Sequence, residues 1–306
     1  MAADVTEAGV PERDGIYGWV PEALYHRDSG SLSFSGAKLL LPPSCPAKFK
    51  ERMDNPPKPK RIFEFGHLVH LEVLGKGVDT VEIDANDYRT KAAREARDRA
   101  RENGKVPVLV GAEANDDFYA ELGKARAMAA AVHSHPEANA LFAGDGSPEM
   151  AMYAADPETG VRLRGRADWI SDTHIIDVKT STTANPDELE RKFWSLGYHL
   201  QAAWYCALAS AIGLGELEFR FIVIEKEPPY VVTVVEYDDE ALAEGARLNR
   251  RAIDLYARCR RSDHWPSYTD RTVTLSLPRF VRNASRNEAD RVAADALIAE
   301  LEGLSA

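Results

Sequence analysis

The sequence predicts an α+β protein, in which helices flank a mixed central β-sheet and the N-terminal portion is helical. Helical spacing of apolar residues dominates the chain before residue 149, and three short runs of strand-forming residues follow in close succession. A helix, two further strands and a last long helix complete the order of elements, which is typical of this class. The chain has 306 residues, 44% of them hydrophobic, which is enough to bury a large core.

The elements before residue 149 are predicted from the spacing of apolar residues. These residues recur at helical intervals in 63–74, and an Ala-rich charged helix is predicted over 89–105. Residues 1–30 alternate proline, glycine and charge without a clear period. We therefore expect this opening stretch to be poorly ordered.

The second half of the chain is predicted to hold most of the sheet. The runs "EMAMYAAD", "GVRLRGRADWIS" and "THIIDVKTS" are separated by short turns, which predicts a three-stranded meander. One long helix is expected over 187–213, and two strands are expected on either side of the Pro228-Pro229 turn. A final long helix begins near Asp238.

Composition narrows the classes of protein to consider. The net charge of −11 argues against indiscriminate binding to nucleic acid, so any polyanion site must be local. No run approaches the roughly 18 apolar residues of a membrane span, and the polar N-terminus is unlike a secretory signal, so we expect a cytoplasmic protein without a membrane partner. The cysteines Cys45, Cys206 and Cys259 are far apart in sequence, which predicts neither a disulfide framework nor an iron–sulfur cluster.

Charged residues on the third predicted strand are the main candidates for a site. Asp177 and Lys179 are two residues apart, so their side chains project from one face of the strand. Asp168 on the preceding strand is expected within reach, and Glu149 opens the strand before that one. Neighbouring carboxylates suit Mg²⁺ or Mn²⁺, and the backbone carbonyl of Val178 offers a further ligand. A salt bridge between the aspartate and the lysine is the alternative explanation of so short a motif.

A resemblance to a known family emerges when the next helix is added. Gln201 and Tyr205 are four residues apart and share a helix face. The ordered series of Asp168, Asp177-Val178-Lys179, and Gln201 with Tyr205 resembles the PD-(D/E)xK nuclease superfamily, in its RecE-like (exonuclease VIII) branch. The segments "FEFGHLVHLEVL", "YRTKAAREARDRARENGKVPVL" and "WPSYTDRTVTLSLPRF" are also similar to that branch. The chain departs from the motif at "RADW", where a proline often precedes the aspartate.

The resemblance implies a restriction-endonuclease-like core with one or two Mg²⁺ (or Mn²⁺) ions. Residues 1–25 would be a flexible lead-in, 26–282 a single nuclease domain with its catalytic core at about 145–260, and 283–306 a C-terminal helix or tail. Lys179 would serve catalysis, and Gln201 with Tyr205 would position the DNA strand or the lysine. The implied metal ligands are Asp168, Asp177, the Val178 carbonyl, His70 of the G-x-x-x-H pattern, and Glu149.

Binding of DNA is expected through local basic patches, because the whole chain is acidic. Residues 45–61 contain six basic and two acidic side chains, and residues 89–105 contain seven basic and three acidic. Phosphate contacts of this kind make binding salt-dependent and tolerant of sequence. The candidate residues are Arg162, Arg164 and Arg166 on one face of the second strand, together with Lys58, Lys60, Arg61, Lys91 and Arg94.

The activity that the resemblance implies is 5′ to 3′ exonuclease digestion of linear double-stranded DNA, which leaves single-stranded tails for homologous recombination. Its expected partners are DNA ends, further copies in a ring-like homo-oligomer, and a single-strand annealing recombinase. A phage-encoded chain would act in the host cytoplasm. Two alternatives stay open: an endonuclease or nickase with the same metal site, and a non-catalytic DNA-binding scaffold for recombination.

Overall fold

The structure is a computed structural model that describes residues 9–56, 61–75, 80–103, 105–109, 117–279, 281–283, 286–288 and 291–292. The chain divides into two compact units, Met1–Ser267 and Tyr268–Ala306, which are described separately. Among the described residues, no helix is both long and apolar enough to cross a membrane.

The first unit contains a seven-stranded sheet in the order β1-β5-β6-β7-β8-β9, with β2 pairing alongside β6. A separate parallel pair consists of β3 and β4. The strands are β1 (Gly15–Tyr17), β2 (Leu32–Ser33), β3 (Thr80–Ile83), β4 (Val106–Leu109), β5 (Gly146–Ala155), β6 (Arg162–Ser171), β7 (His174–Ser181), β8 (Glu218–Glu225) and β9 (Val232–Val235).

Helices cover both faces of the large sheet. Apolar residues of α4 and α6 pack on one face, and those of α2, α9 and α10 pack on the other. The helices are α1 (Glu22–Arg27), α2 (Phe34–Leu40), α3 (Pro46–Asp54), α4 (Arg61–Leu74), α5 (Lys91–Glu102), α6 (Asp117–Ser134), α7 (Pro136–Leu141), α8 (Pro186–Leu196), α9 (Tyr198–Ala211) and α10 (Asp239–Ser262).

The pairing of strands confirms the predicted mixed sheet. Strands β5, β6 and β7 form the predicted antiparallel meander, and β8 pairs antiparallel with β9. Strand β8 lies parallel to β7, and α8 and α9 make the crossover between them. Successive residues of β7 therefore serve opposite faces: Ile176 and Val178 are buried against α4 and α6, while Ile175 is buried on the α9 side.

Helix α9 packs unusually close to β6. A side chain at Gly165 of β6 would place its Cβ only 2.8 Å from Cδ1 of Leu208 on α9, so glycine permits this approach. The hydroxyl of Tyr205 on the same helix accepts a hydrogen bond from the backbone N–H of Arg166, at 3.3 Å. The close contact fixes the height of α9 above the strands that carry the candidate site.

Two local predictions were wrong. The long helix expected over 187–213 is two helices, because Gly197 adopts the left-handed conformation (φ 70°, ψ 32°) that ends α8 and turns the chain into α9. The opening stretch, expected to be poorly ordered, contains regular structure at 15–17 and 22–27, which form β1 and α1. Strand β1 is too short to show an apolar period of its own, and it is held in place by antiparallel pairing with β5.

The second unit has little regular structure among its described residues. Residues 271–278 contain neither helix nor strand, and short helical stretches occur at 281–283, 286–288 and 291–292. The rest of the helix expected near 286–302 lies outside the described residues, and the predicted domain boundaries stay a prediction.

Candidate active site

Asp177 and Lys179 share the face of β7 that points towards α9, as the two-residue spacing predicts. The Lys179 ammonium contacts the Asp177 carboxylate, which is buried, and Nε2 of Gln201 donates to Asp177 Oδ2 at 2.5 Å. Although burial opposes the charged form, the carboxylates of Asp177 and Asp168 raise the pKa of Lys179 above its usual range. The lysine therefore stays protonated at neutral pH.

Asp168 lies where β6 and β7 begin to separate. The two strands pair at Trp169 with Ile176, and one position further on Asp168 Oδ2 accepts a hydrogen bond from the Val178 backbone N–H at 2.7 Å. Burial, together with the nearby carboxylates of Asp177 and Glu149, raises the pKa of Asp168 to about 7, against the opposing influence of His70 and Lys179. In the metal-free chain Asp168 is therefore only partly ionised at neutral pH.

His70 reaches the same place from α4. Its Nε2 lies 2.9 Å from the Val178 carbonyl oxygen, and because a carbonyl only accepts, Nε2 must carry the proton. The other ring nitrogen, Nδ1, lies 3.6 Å from Asp168 Oδ2. A histidine that donates one ring N–H to a backbone carbonyl while the other nitrogen faces acids is typical of a metal ligand.

Glu149 completes a cluster with His70 and Asp168. One potential ligand atom from each of the three residues lies within 4.8 Å of the others. Glu149 adopts a left-handed backbone conformation (φ 56°), which costs roughly 1–3 kcal/mol and often marks a functional position. Its carboxylate also accepts from Arg166 Nε at 2.7 Å. An imidazole and two carboxylates form a donor set that suits Mg²⁺ or Mn²⁺ with bound waters.

The cluster differs from the predicted ligand set in two respects. Asp177 is turned towards Gln201 and Lys179 and does not belong to the cluster of three found among the described residues. The Val178 carbonyl accepts from His70. Metal-ligand roles for these two groups stay predictions, as do those of the three clustered residues.

Gln201 and Tyr205, the polar pair on α9, form hydrogen bonds to two different strands. Gln201 is buried and holds Asp177 on β7, whereas Tyr205 supports the backbone of β6 at Arg166. Burial raises the pKa of Tyr205 well above its usual range, so its hydroxyl keeps its proton. In this arrangement both residues brace the strands, and neither makes a hydrogen bond to Lys179 within the described part of the chain.

The three arginines of β6 share one face, as predicted, but each has a partner inside the chain. Arg162 contacts the Asp14 carboxylate, and Arg166 pairs with Glu149 and donates to the Val20 carbonyl at 2.9 Å. Arg164 is buried and pairs with Asp28 at 3.0 Å.

The prediction that these arginines contact phosphate is therefore wrong for the buried Arg164. For Arg162 and Arg166 it conflicts with the internal ion pairs. The segment from residue 11 to residue 28 lies over β6 and supplies the acids that pair with Arg162 and Arg164, whereas Glu149 on β5 pairs with Arg166.

The other residues predicted to contact DNA are either exposed or outside the described part of the chain. Lys91 and Arg94 are exposed on α5, where Lys91 lies 3.7 Å from Glu95 and Arg94 donates to the Arg89 carbonyl at 2.7 Å. Lys58 and Lys60 lie outside the described residues. Arg61 begins α4, but its side chain lies outside the described part of the chain.

Sequence reasoning missed two residues next to the site. Tyr198 lies beneath Lys179, with its ring centroid 4.9 Å from Nζ, and its position three residues before Gln201 on α9 was a usable signal. Asp28 neutralises Arg164, and no local pattern in the sequence points to it.

Comparison with known proteins agrees with this architecture. Residues 33–276 match the family model described as "PDDEXK-like domain of unknown function (DUF3799)". Among solved structures, the chain is similar to a candidate exonuclease from Eubacterium rectale, with a TM-score of 0.54 and 14% identity over 84% of this chain and 93% of that one. At that identity the similarity is one of fold.

An alkaline exonuclease from Laribacter hongkongensis gives a TM-score of 0.30 and 16% identity over 79% of this chain and 95% of that one. No curated protein sequence matches the chain significantly. The family match spans most of the chain and includes each element of the candidate site, which confirms the predicted PD-(D/E)xK resemblance. The chain therefore belongs to the family of PDDEXK-like domains designated DUF3799.

Proposed function

We propose that this chain is a metal-dependent DNA exonuclease that hydrolyses phosphodiester bonds of linear double-stranded DNA in the 5′ to 3′ direction. The observation that carries the proposal is the meeting of the His70, Glu149 and Asp168 cluster with the Asp177–Lys179 pair where β6 and β7 separate. A partly buried acidic cluster that can hold a cation beside a protonated lysine suits stabilisation of a phosphate that gains negative charge during hydrolysis.

Asp168, Glu149 and His70 would hold one or two divalent cations, with Mg²⁺ or Mn²⁺ as the ions of choice. The raised pKa of Asp168 supports this, since burial and neighbouring acids disfavour its charge until a cation is bound. Such an ion supplies charge neutralisation at the phosphate and lowers the pKa of bound water.

The chain's own residues supply orientation and positive charge. Lys179, which is held protonated by Asp177, would donate to an oxygen of the scissile phosphate or to the attacking water. Gln201 fixes the Asp177 carboxylate, and so fixes the position of the ammonium that rests on it.

The proposal also includes a preference for DNA ends, 5′ to 3′ polarity and a role in recombination. The resemblance to the RecE-like branch supports them, as it supports a ring-like homo-oligomer, an annealing recombinase as partner and action in the cytoplasm. Lys91 and Arg94 are the described candidates for phosphate contact, because both are exposed.

Digestion of linear and covalently closed circular duplex DNA tests the proposal, with Mg²⁺ and with EDTA, for the native chain and Lys179→Ala. Lys124→Ala is the matched control, because Lys124 is exposed on α6. We expect Mg²⁺-dependent loss of the linear form alone, abolished by Lys179→Ala and retained by Lys124→Ala. Duplexes labelled at the 5′ or the 3′ end then give the polarity.

The other outcomes separate the alternatives. Cutting of the circle would indicate an endonuclease or nickase with the same site. Binding of DNA without cleavage of either form would indicate a non-catalytic scaffold.

A further inference from the structure

We propose that Tyr198 is a positioning residue for Lys179, and that the face of its ring holds the lysine ammonium over the strand. The inference rests on the proposed nuclease function. It adds a residue outside the D-x-K and Q-x-x-x-Y motifs to the machinery of the site.

The surroundings of Lys179 carry the first step. Its Nζ contacts the Asp177 carboxylate on one side and lies 4.9 Å from the Tyr198 ring centroid and 6.0 Å from that of Phe221 on the other. A cation within about 6 Å of an aromatic ring face is attracted by the negative charge of that face, and the attraction grows when water is excluded. The Lys179 side chain is only 22% exposed, so water screens the contact little.

The ring is itself held in place by other aromatic residues. Tyr198 stacks on Phe221, with centroids 5.4 Å apart and planes 25° apart, and meets the edge of Phe193 at 4.8 Å. Within the described residues, its hydroxyl makes no hydrogen bond. The ring face, and not the hydroxyl, is therefore the part of Tyr198 that serves the lysine.

The local fold explains why this residue can reach. Gly197 reverses the chain in a left-handed conformation, so Tyr198 is the first residue of α9. Three residues along a helix rise about 4.5 Å, and two residues along a strand rise about 6.6 Å. Tyr198 and Gln201 can therefore each face one residue of the Asp177-Val178-Lys179 motif, and the contacts show that they do.

The alternative is that Tyr198 only fills the core between α9 and β8. Replacement by leucine would disturb packing under both explanations, so the decisive variants keep the shape of the ring. Tyr198→Phe variants in which the introduced ring carries one, two or three fluorines weaken the negative charge of the face with little change in size. A core-filling role predicts no trend across that series.

The experiment measures the rate of cleavage of linear duplex DNA by native protein, Tyr198→Phe and the fluorinated series. We expect Tyr198→Phe to stay within about twofold of native, because its ring face is kept. The rate should then fall stepwise to about tenfold below native at the highest fluorination, while KM for DNA stays constant. The same series at Phe49, a buried ring stacked on Trp265, is the control and should be flat.

A second readout needs neither metal nor cleavage. In NMR spectra of protein with ¹³C-labelled lysine, the ε-methylene of Lys179 should be shifted upfield by the ring in the native chain and in Tyr198→Phe. In Tyr198→Leu the resonance should move towards that of an exposed lysine. A flat fluorine series in an active enzyme, or an unshifted Lys179 resonance, would overturn the role of Tyr198 alone. A native chain that cleaves no DNA would instead overturn the proposed function.

Discussion

Two neighbouring groups of charged residues at the candidate site differ in how their charges are balanced: the Asp177–Lys179 pair of strand β7, and the cluster of His70, Glu149 and Asp168. On the α9 side, the Asp177 carboxylate has the Lys179 ammonium and the Gln201 amide as partners. Beside that pair, Glu149 accepts from the Arg166 guanidinium, while Asp168 accepts from the Val178 backbone N–H and faces Nδ1 of His70.

The difference supports the proposed location of a bound cation. On the α9 side the charges of Asp177 and Lys179 cancel, so this ion pair fixes the position of the lysine ammonium. In the neighbouring cluster, burial and the nearby carboxylates raise the pKa of Asp168, and three residues offer potential metal ligands. The Asp177–Lys179 pair positions a lysine, while the adjacent cluster is suited to receive an ion.

Among these variants, Asp168→Asn should have the largest effect on cleavage. Cleavage should fall by about a thousandfold, because the cluster loses a ligand.

The same variant also tests stability. The folded-state pKa of Asp168 is about 7, above the ordinary 3.8, so ionisation of Asp168 destabilises the metal-free fold at mildly alkaline pH. This penalty fades as the pH falls. In EDTA the variant should therefore have a higher Tm than native, and Mg²⁺ should raise that Tm less. A full Mg²⁺-induced rise in the variant would contradict the account.

Arg164→Met tests whether the ion pair between Arg164 on β6 and Asp28 stabilises the fold. Removing one partner of a buried ion pair leaves the Asp28 carboxylate uncompensated, so the free energy of unfolding should fall by about 3 kcal/mol. Urea denaturation measures this, and DNA binding at several salt concentrations serves as the control. A decrease in the salt dependence of binding would mean that Arg164 contacts phosphate after all.

Gln201→Leu tests the α9 side by removing the donor to Asp177. Cleavage should fall by about thirtyfold, because the buried carboxylate loses a partner and its geometry. Asn249→Leu is a matched control, since Asn249 is also buried and its amide donates to the Leu200 carbonyl at 2.9 Å. The control should lose stability and keep its specific activity. Equal losses of activity in the two variants would remove the positioning role of Gln201.

Lys91→Ala and Arg94→Ala should have the smallest effects. Each should weaken DNA binding a few-fold at low salt and reduce the slope of log K against log salt by about 0.9 per lost phosphate contact. Fluorescence anisotropy with labelled duplex measures both quantities. An unchanged slope would place the DNA path away from α5.

The features that the sequence predicted correctly are those that depend on local geometry and on the order of elements. The shared face of Asp177 and Lys179 and the predicted mixed sheet follow from the two-residue period of strands and the order of elements. The break at Gly197 was not predicted, because the residues on either side of it keep helical spacing.

The residues missed or misassigned depend on contacts between distant segments. Asp28 reaches Arg164 across 136 positions, and His70 reaches Val178 across 108, so no local pattern specifies either contact. The arginines of β6 have the spacing of a phosphate-binding face, and only the fold shows that the N-terminal segment neutralises Arg162 and Arg164 and that Glu149 neutralises Arg166.

Binding of Mn²⁺ to the metal-free protein tests the central claim most directly, and electron paramagnetic resonance can follow it in native protein, Asp168→Asn and Asp172→Asn. Asp172 is the matched control, because it is an exposed aspartate in the turn between β6 and β7. We predict saturable binding in the native chain and in Asp172→Asn, and a loss of affinity of at least about tenfold in Asp168→Asn. Equal affinity in all three proteins would contradict the assignment of the cation to the cluster of His70, Glu149 and Asp168.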